Sequence, residues 1–162
     1  ALPLLKWALK ENLNLRFIEQ MPLDAGDAWK RKNLITADEI YSQLSSEYEL
    51  TPIADRGASP AEEFLVNGGP ATVGIIGSVT RPFCSACDRL RLTSDGQLRN
   101  CLFSNTETDL RGILRNGRLV ESEKRDDIIK ALGASVKSKL PGHGINDPEF
   151  IKPSRPMSAI GG

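Results

Sequence analysis

The stretch Phe83-Cys84-Ser85-Ala86-Cys87-Asp88-Arg89-Leu90-Arg91-Leu92-Thr93-Ser94-Asp95-Gly96-Gln97-Leu98-Arg99-Asn100-Cys101-Leu102 decides how this chain is read. It contains all three cysteines of the sequence. Cys84 and Cys87 form a C-x-x-C pair, a spacing that lets two thiolates converge on one metal from a tight turn. Cys101 returns to the same point if the chain between is a hairpin, and Asp95-Gly96 is a strong hairpin signal.

In a strand, alternate side chains share a face, so Cys87, Arg89 and Arg91 project on one side while Leu90 and Leu92 project on the other. Two arginines then flank the thiolates. For Cys101 to join that face it must sit opposite Arg89, which requires a three-residue loop, Ser94-Asp95-Gly96, with Gly96 in the left-handed bulge position. A two-residue Asp-Gly turn would instead pair Cys101 with Leu90 and turn its sulfur away. The bland reading is three buried free cysteines acting as small apolar residues. A structural zinc site is a second rival, with His143, the single histidine, as a fourth ligand. Spacing leaves iron–sulfur and zinc chemistry both open.

The chain around this stretch is 162 residues, 17.7 kDa, 40% apolar and 26% charged, with 21 basic and 21 acidic side chains. That composition suits a single domain with a real core and excludes disorder and a bulk electrostatic footprint for nucleic acid. No apolar run approaches the ~20 residues of a membrane helix, and no secretory signal opens the chain. The expectation is a soluble, cytoplasmic protein with reduced thiols and neither nucleic acid nor membrane as a partner.

Upstream, the apolar spacing of Leu2, Leu5, Ala8, Leu9 and Leu13 predicts a helix, and Asn14 to Met21 a strand. No initiator methionine or N-cap precedes them, so residues 1–21 are expected to be the last helix and strand of a barrel whose other strands lie upstream. Thr36-Ala37-Asp38-Glu39 has capping-box form and predicts a helix to about Ser46. Three strand-like runs follow, Tyr48 to Ala54, Glu63 to Asn67 and Thr72 to Ser78, the last two joined as a hairpin through Gly68-Gly69-Pro70. Helices are predicted near 106–115 and 122–138, with Thr106 and Ser122 as N-caps. Residues 139–162 read as an irregular Pro- and Gly-rich tail. The expected fold is therefore α+β: one domain over 1–162, mainly antiparallel sheet with flanking helices over 36–138, and the cysteine hairpin 84–101 inside it. Gly68, Gly69, Gly74 and Gly77 form no phosphate loop and read as turn and sheet-packing glycines.

Phe-Cys-x-x-Cys-Asp-Arg-x-Arg-Leu-Thr-x-Asp-Gly, followed by Leu-Arg-Asn-Cys-Leu-Phe, resembles the C-terminal cluster motif of the GTP 3′,8-cyclases. These are radical S-adenosylmethionine enzymes, also called cyclic pyranopterin monophosphate synthases or molybdenum cofactor biosynthesis protein A. Leu-Arg-Phe-Ile-Glu-Gln-Met-Pro and the closing Met157-Ser158-Ala159-Ile160-Gly161-Gly162 resemble the same family, so the likeness spans nearly the whole chain.

The resemblance implies that Cys84, Cys87 and Cys101 hold a [4Fe–4S] cluster through three irons, leaving the fourth open to GTP. It further implies that Arg89, Arg91 and the backbone at Leu90 bind the nucleotide, and that Met21 lines an S-adenosylmethionine pocket. Without the resemblance, Met21 reads as an ordinary core residue. Gly161 and Gly162 match a double-glycine tail that enters the active site, or are simply a frayed terminus. The second [4Fe–4S] cluster, which cleaves S-adenosylmethionine, needs a C-x-x-x-C-x-x-C motif that this sequence lacks. The implied partner is an N-terminal radical domain, and this chain alone is expected to be inactive. In the family, a deoxyadenosyl radical takes the ribose 3′ hydrogen of GTP and the carbon radical attacks C8, giving 3′,8-cyclo-7,8-dihydro-GTP. Oligomeric state is left open, a homodimer being one option.

Overall fold

The computed structural model describes every residue except Ala25, Asp27, Gly161 and Gly162, so the expectation for the double-glycine tail lies outside the described residues. The chain divides into two compact units, one of residues 1–21 and 29–87, the other of residues 22–28 and 88–162. The fold is α+β, with a four-stranded mixed sheet and a three-stranded antiparallel sheet. Among the described residues both sheets are open and neither closes into a barrel. No helix among them is long and apolar enough to cross a membrane.

The first unit runs α1 (Leu2–Lys10), β1 (Leu15–Ile18), α2 (Ala37–Ser45), β2 (Leu50–Pro52), β3 (Glu62–Val66) and β4 (Thr72–Ile76). The Thr36 capping box forms as the sequence predicts: Thr36 Oγ1 accepts from the Glu39 amide at 3.2 Å and the Glu39 carboxylate accepts from the Thr36 amide at 2.7 Å. Ala37, Ile40 and Leu44, spaced for one helical face, are buried with Leu5, Leu50, Phe64, Val66, Val73 and Ile75. Each large apolar side chain buried this way contributes roughly 1.5–3 kcal/mol. The β3–β4 hairpin is present with Glu63 opposite Gly74.

The sequence reading looks upstream for the partner of β1, and within this chain β1, an edge strand, has its partner downstream. β1 pairs in parallel with β4, a strand later in the chain, and sheet order is β1-β4-β3-β2. Central β4 is what permits this: Val73, Gly74 and Ile75 are all buried, the continuous apolar run of a strand covered on both faces. Arg16, Gly74 and Glu63 stand in one row across three strands. A Cβ on Gly74 would come within 2.9 Å of the Arg16 side chain; the missing side chain lets Arg16 cross the sheet to Glu63 at 2.7 Å.

The second unit contains β5 (Arg91–Leu92), β6 (Gln97–Arg99), β7 (Thr108–Asp109), α3 (Leu110–Leu114) and α4 (Glu121–Lys137), with strand order β5-β6-β7. Both helices start later than, or are capped differently from, the sequence expectation. α3 is capped by Asp109, whose carboxylate accepts from the Gly112 amide at 3.0 Å, not by Thr106; residues 108–109 are taken into β7 instead. At α4 the cap position is Val120 rather than Ser122, and the Glu123 carboxylate accepts from the Val120 amide at 3.0 Å. The described residues after α4 carry no helix beyond one 3₁₀ turn, Met157–Ala159, yet several of them are anchored. Ile160 is fully buried, the Met157 amide donates to the Leu23 carbonyl at 2.8 Å, and Asn105 donates to the Ile151 carbonyl at 3.2 Å.

Candidate functional site

Cys84 opens a 3₁₀ turn, Cys84–Ala86, closed by the Cys87 amide donating to the Cys84 carbonyl at 3.2 Å. The two residues of the C-x-x-C pair therefore lie one 3₁₀ turn apart, Cys84 at its start and Cys87 extended just after it. Neither cysteine is in a disulfide, and both are half-buried. Phe83, just before them, lies under the Arg56 guanidinium at 5.4 Å, and Arg56 is itself held by Glu62 at 2.9 Å.

The hairpin that carries the remaining residues has the register that the cysteine argument requires. Arg91 faces Arg99 and Leu92 faces Leu98; continued by two residues, the same register sets Arg89 opposite Cys101. The loop is Ser94-Asp95-Gly96, with the Gly96 amide donating to the Thr93 carbonyl at 3.0 Å and Gly96 at φ 84°. That is a three-residue turn with glycine in the left-handed position. Arg89, Leu90 and Arg91 are half-buried. Leu92, on the other side, is 61% exposed.

Cys101 is free and half-buried, and its sulfur accepts from the Phe103 amide at 3.4 Å. A thiolate is the better acceptor for such a bond, and amide donors to cysteinyl sulfur are a normal feature of cluster ligands. In donor chemistry the three thiols fit a thiolate-held cluster. Cys84 and Cys87 belong to the first unit and Cys101 to the second. Among the described residues, no three of the His, Cys, Asp and Glu side chains stand as a group able to hold a metal ion. His143, which the zinc alternative needs as a ligand, accepts from the Ile145 amide through Nδ1 at 3.1 Å and packs its ring on Phe103 at 4.9 Å. Met21 is half-buried just past the end of β1.

Over residues 13–145 the sequence matches the family described as Molybdenum Cofactor Synthesis C. The chain belongs to that family. It is 52% identical over 161 residues to a GTP 3′,8-cyclase of Streptomyces coelicolor, covering 98% of this chain and 46% of that protein. It is 53% identical over 169 residues to a GTP 3′,8-cyclase of Mycolicibacterium smegmatis, covering 100% of this chain and 45% of that protein. Against GTP 3′,8-cyclase 2 of Mycobacterium tuberculosis the identity is 52% over 165 residues, 98% of this chain and 44% of that one. The chain thus spans about half the length of the curated relatives it matches.

In this molybdenum cofactor synthesis C chain, sequence reasoning missed Arg99 as a site-organising residue. Its side chain is 2% exposed and paired with Glu107, and it donates to the Ser104 carbonyl and, at 3.3 Å, to the Leu102 carbonyl. It therefore shapes the turn that follows Cys101. The signal was available, since Arg99 and Cys101 are spaced by two and share a strand face. Glu19 was missed as well. Buried to 1%, its carboxylate accepts from the amides of Ala37 at 2.6 Å, Val79 at 2.6 Å and Thr80 at 2.8 Å, and from the Thr80 hydroxyl. It ties the end of β1 to the start of α2 and to the turn that leads into the cysteine pair.

Proposed function

We propose that this chain is the nucleotide-binding and [4Fe–4S]-binding part of a cytoplasmic GTP 3′,8-cyclase, converting GTP to 3′,8-cyclo-7,8-dihydro-GTP in molybdenum cofactor synthesis. An N-terminal radical S-adenosylmethionine domain, a partial (βα) barrel with its own [4Fe–4S] cluster, completes the enzyme. The observation that carries the reading is the hairpin register, Arg91 opposite Arg99 around the Gly96 loop, with Arg89 and Cys101 each two residues further along the two arms. Identity above 50% to GTP 3′,8-cyclases over nearly the whole chain supports it.

In this reading Cys84, Cys87 and Cys101 hold the cluster as thiolates, and the Phe103 amide supports the charge on Cys101. When bound, the cluster supplies an iron without a protein ligand, which a purine nitrogen or oxygen can occupy. Arg89 and Arg91 bind the nucleotide, their planar guanidinium forks suiting phosphate and purine acceptors better than a point charge does. The Leu90 backbone joins them. Met21 lines the S-adenosylmethionine pocket, and Gly161 and Gly162 approach the substrate through bare backbone.

Anaerobic reconstitution of the full-length protein with iron and sulfide tests this. Wild type should take up about eight irons per chain, as two four-iron clusters, and Cys84→Ser, Cys87→Ser and Cys101→Ser should each keep only about four. Stoichiometric zinc uptake through these cysteines, with no iron lost in the serine variants, would overturn the reading.

A further inference from the structure

Beyond the Arg91–Arg99 pair the β5–β6 ladder ends, although Arg89 and Cys101 lie further along the two arms. A lysine from another element spans that gap. The Lys139 ammonium, just past the end of α4, donates to the Arg89 carbonyl at 2.7 Å and to the Asn100 carbonyl at 2.6 Å. One acceptor belongs to a predicted nucleotide-binding residue and the other to the neighbour of a predicted cluster ligand. The contact is reinforced from the same helix end: Asn100 donates from its side chain to Ser138 Oγ at 2.9 Å, and that hydroxyl donates to the Ser135 carbonyl at 2.9 Å.

An ammonium carries three donors on a compact charge, and both recorded acceptors are neutral main-chain carbonyls. Each bond is charge-assisted, roughly twice as strong as a neutral one. Because neither acceptor is a carboxylate, neither cancels the charge, and Lys139 is only half-buried. Thiolate-held clusters and nucleotide phosphates are both anionic, so a cation at this position favours both. A helix-end lysine that merely tidied a loop would be replaceable by any neutral donor.

We propose that Lys139 is a positioning residue of the nucleotide and cluster site. Its ammonium ties the Arg89 arm to the Cys101 arm where the ladder stops, and keeps a positive charge beside both. The inference rests on the cyclase reading above for the identity of the ligands, but the tie between the arms stands on this structure alone.

The test uses the full-length protein as wild type, Lys139→Met and Lys139→Arg. In the cluster-free state, amide hydrogen exchange of the segments around 89–92 and 97–101 should quicken in Lys139→Met and stay near wild type in Lys139→Arg, whose guanidinium can fork to the same two carbonyls. In the reconstituted state, Lys139→Met should bind GTP about tenfold more weakly, the loss expected for one charge-assisted hydrogen-bond arrangement. Its C-terminal cluster should show a more negative midpoint potential, since a nearby positive charge favours the added electron. Lys139→Arg should recover most of both. Unchanged exchange in Lys139→Met overturns the tie. Quickened exchange with GTP affinity and potential both unchanged reduces Lys139 to a structural residue and overturns the positioning role. Wild type that loads no iron and binds no GTP refutes the cyclase reading instead, and the exchange arm still decides the tie.

Discussion

The Arg155 guanidinium grips the Asp95 carboxylate with both prongs, Nη1 to Oδ1 at 3.2 Å and Nη2 to Oδ2 at 2.8 Å, joining the hairpin loop to the irregular C-terminal segment. The same guanidinium reaches Glu107 through Nη2 at 2.9 Å, and Glu107 also pairs with buried Arg99. A tail that its proline and glycine content marks as loose is thereby locked to the cysteine hairpin.

Arg155, with help from the Thr93 hydroxyl, holds the Asp95 carboxyl down at about 2 from an ordinary 3.8. Since the folded value is the lower one, the stability Asp95 contributes is complete above about pH 4 and is lost as pH falls toward 2. Thermal midpoints measured across that window should drop more steeply for wild type than for Asp95→Asn. Parallel curves would show that the pair contributes nothing.

Gly96 sits at φ 84°, and a Cβ added there would stand 2.6 Å from the Arg111 Cβ. Gly96→Ala combines the left-handed penalty of about 1–2 kcal/mol with a clash against α3. Urea denaturation should show a loss of at least about 1 kcal/mol, with cluster loading reduced because Cys101 depends on this turn. A neutral substitution would contradict the three-residue loop.

Glu19→Gln preserves size but replaces one acceptor oxygen by an amide nitrogen, which would have to face donors that now meet a carboxylate oxygen. Leaving buried donors unmatched costs on the order of 2–4 kcal/mol in all. Chemical denaturation should register a loss of that size. A loss below about 1 kcal/mol would mean that these amides find other acceptors.

Arg89→Ala and Arg91→Ala should each weaken GTP binding by the loss of charge-assisted hydrogen bonds, about 1.5–3 kcal/mol or roughly tenfold to a hundredfold. Lysine at either position should restore only part, because it lacks the planar fork. Titration of GTP into the cluster-loaded enzyme measures this, and unchanged affinity in both variants would remove the arginines from the site.

The sequence by itself determined what depends on neighbours along the chain. Period-two spacing and the demand that Cys101 share a face with Arg89 chose the three-residue loop over the two-residue turn, and that loop is present. The Thr36 capping box was legible because both of its partners lie within one helical turn. Only the tertiary structure decided the rest. β1 takes β4 as its neighbour because pairing is settled by which apolar strand is central, not by chain order. Asp109 displaces Thr106 as a cap because residues 108–109 are drawn into a third strand. Lys139, Arg155 and Glu19 look like ordinary charges in sequence. Their roles come from carbonyls, carboxylates and amides brought to them from 39, 60 and 61 positions away, and no local spacing encodes such encounters.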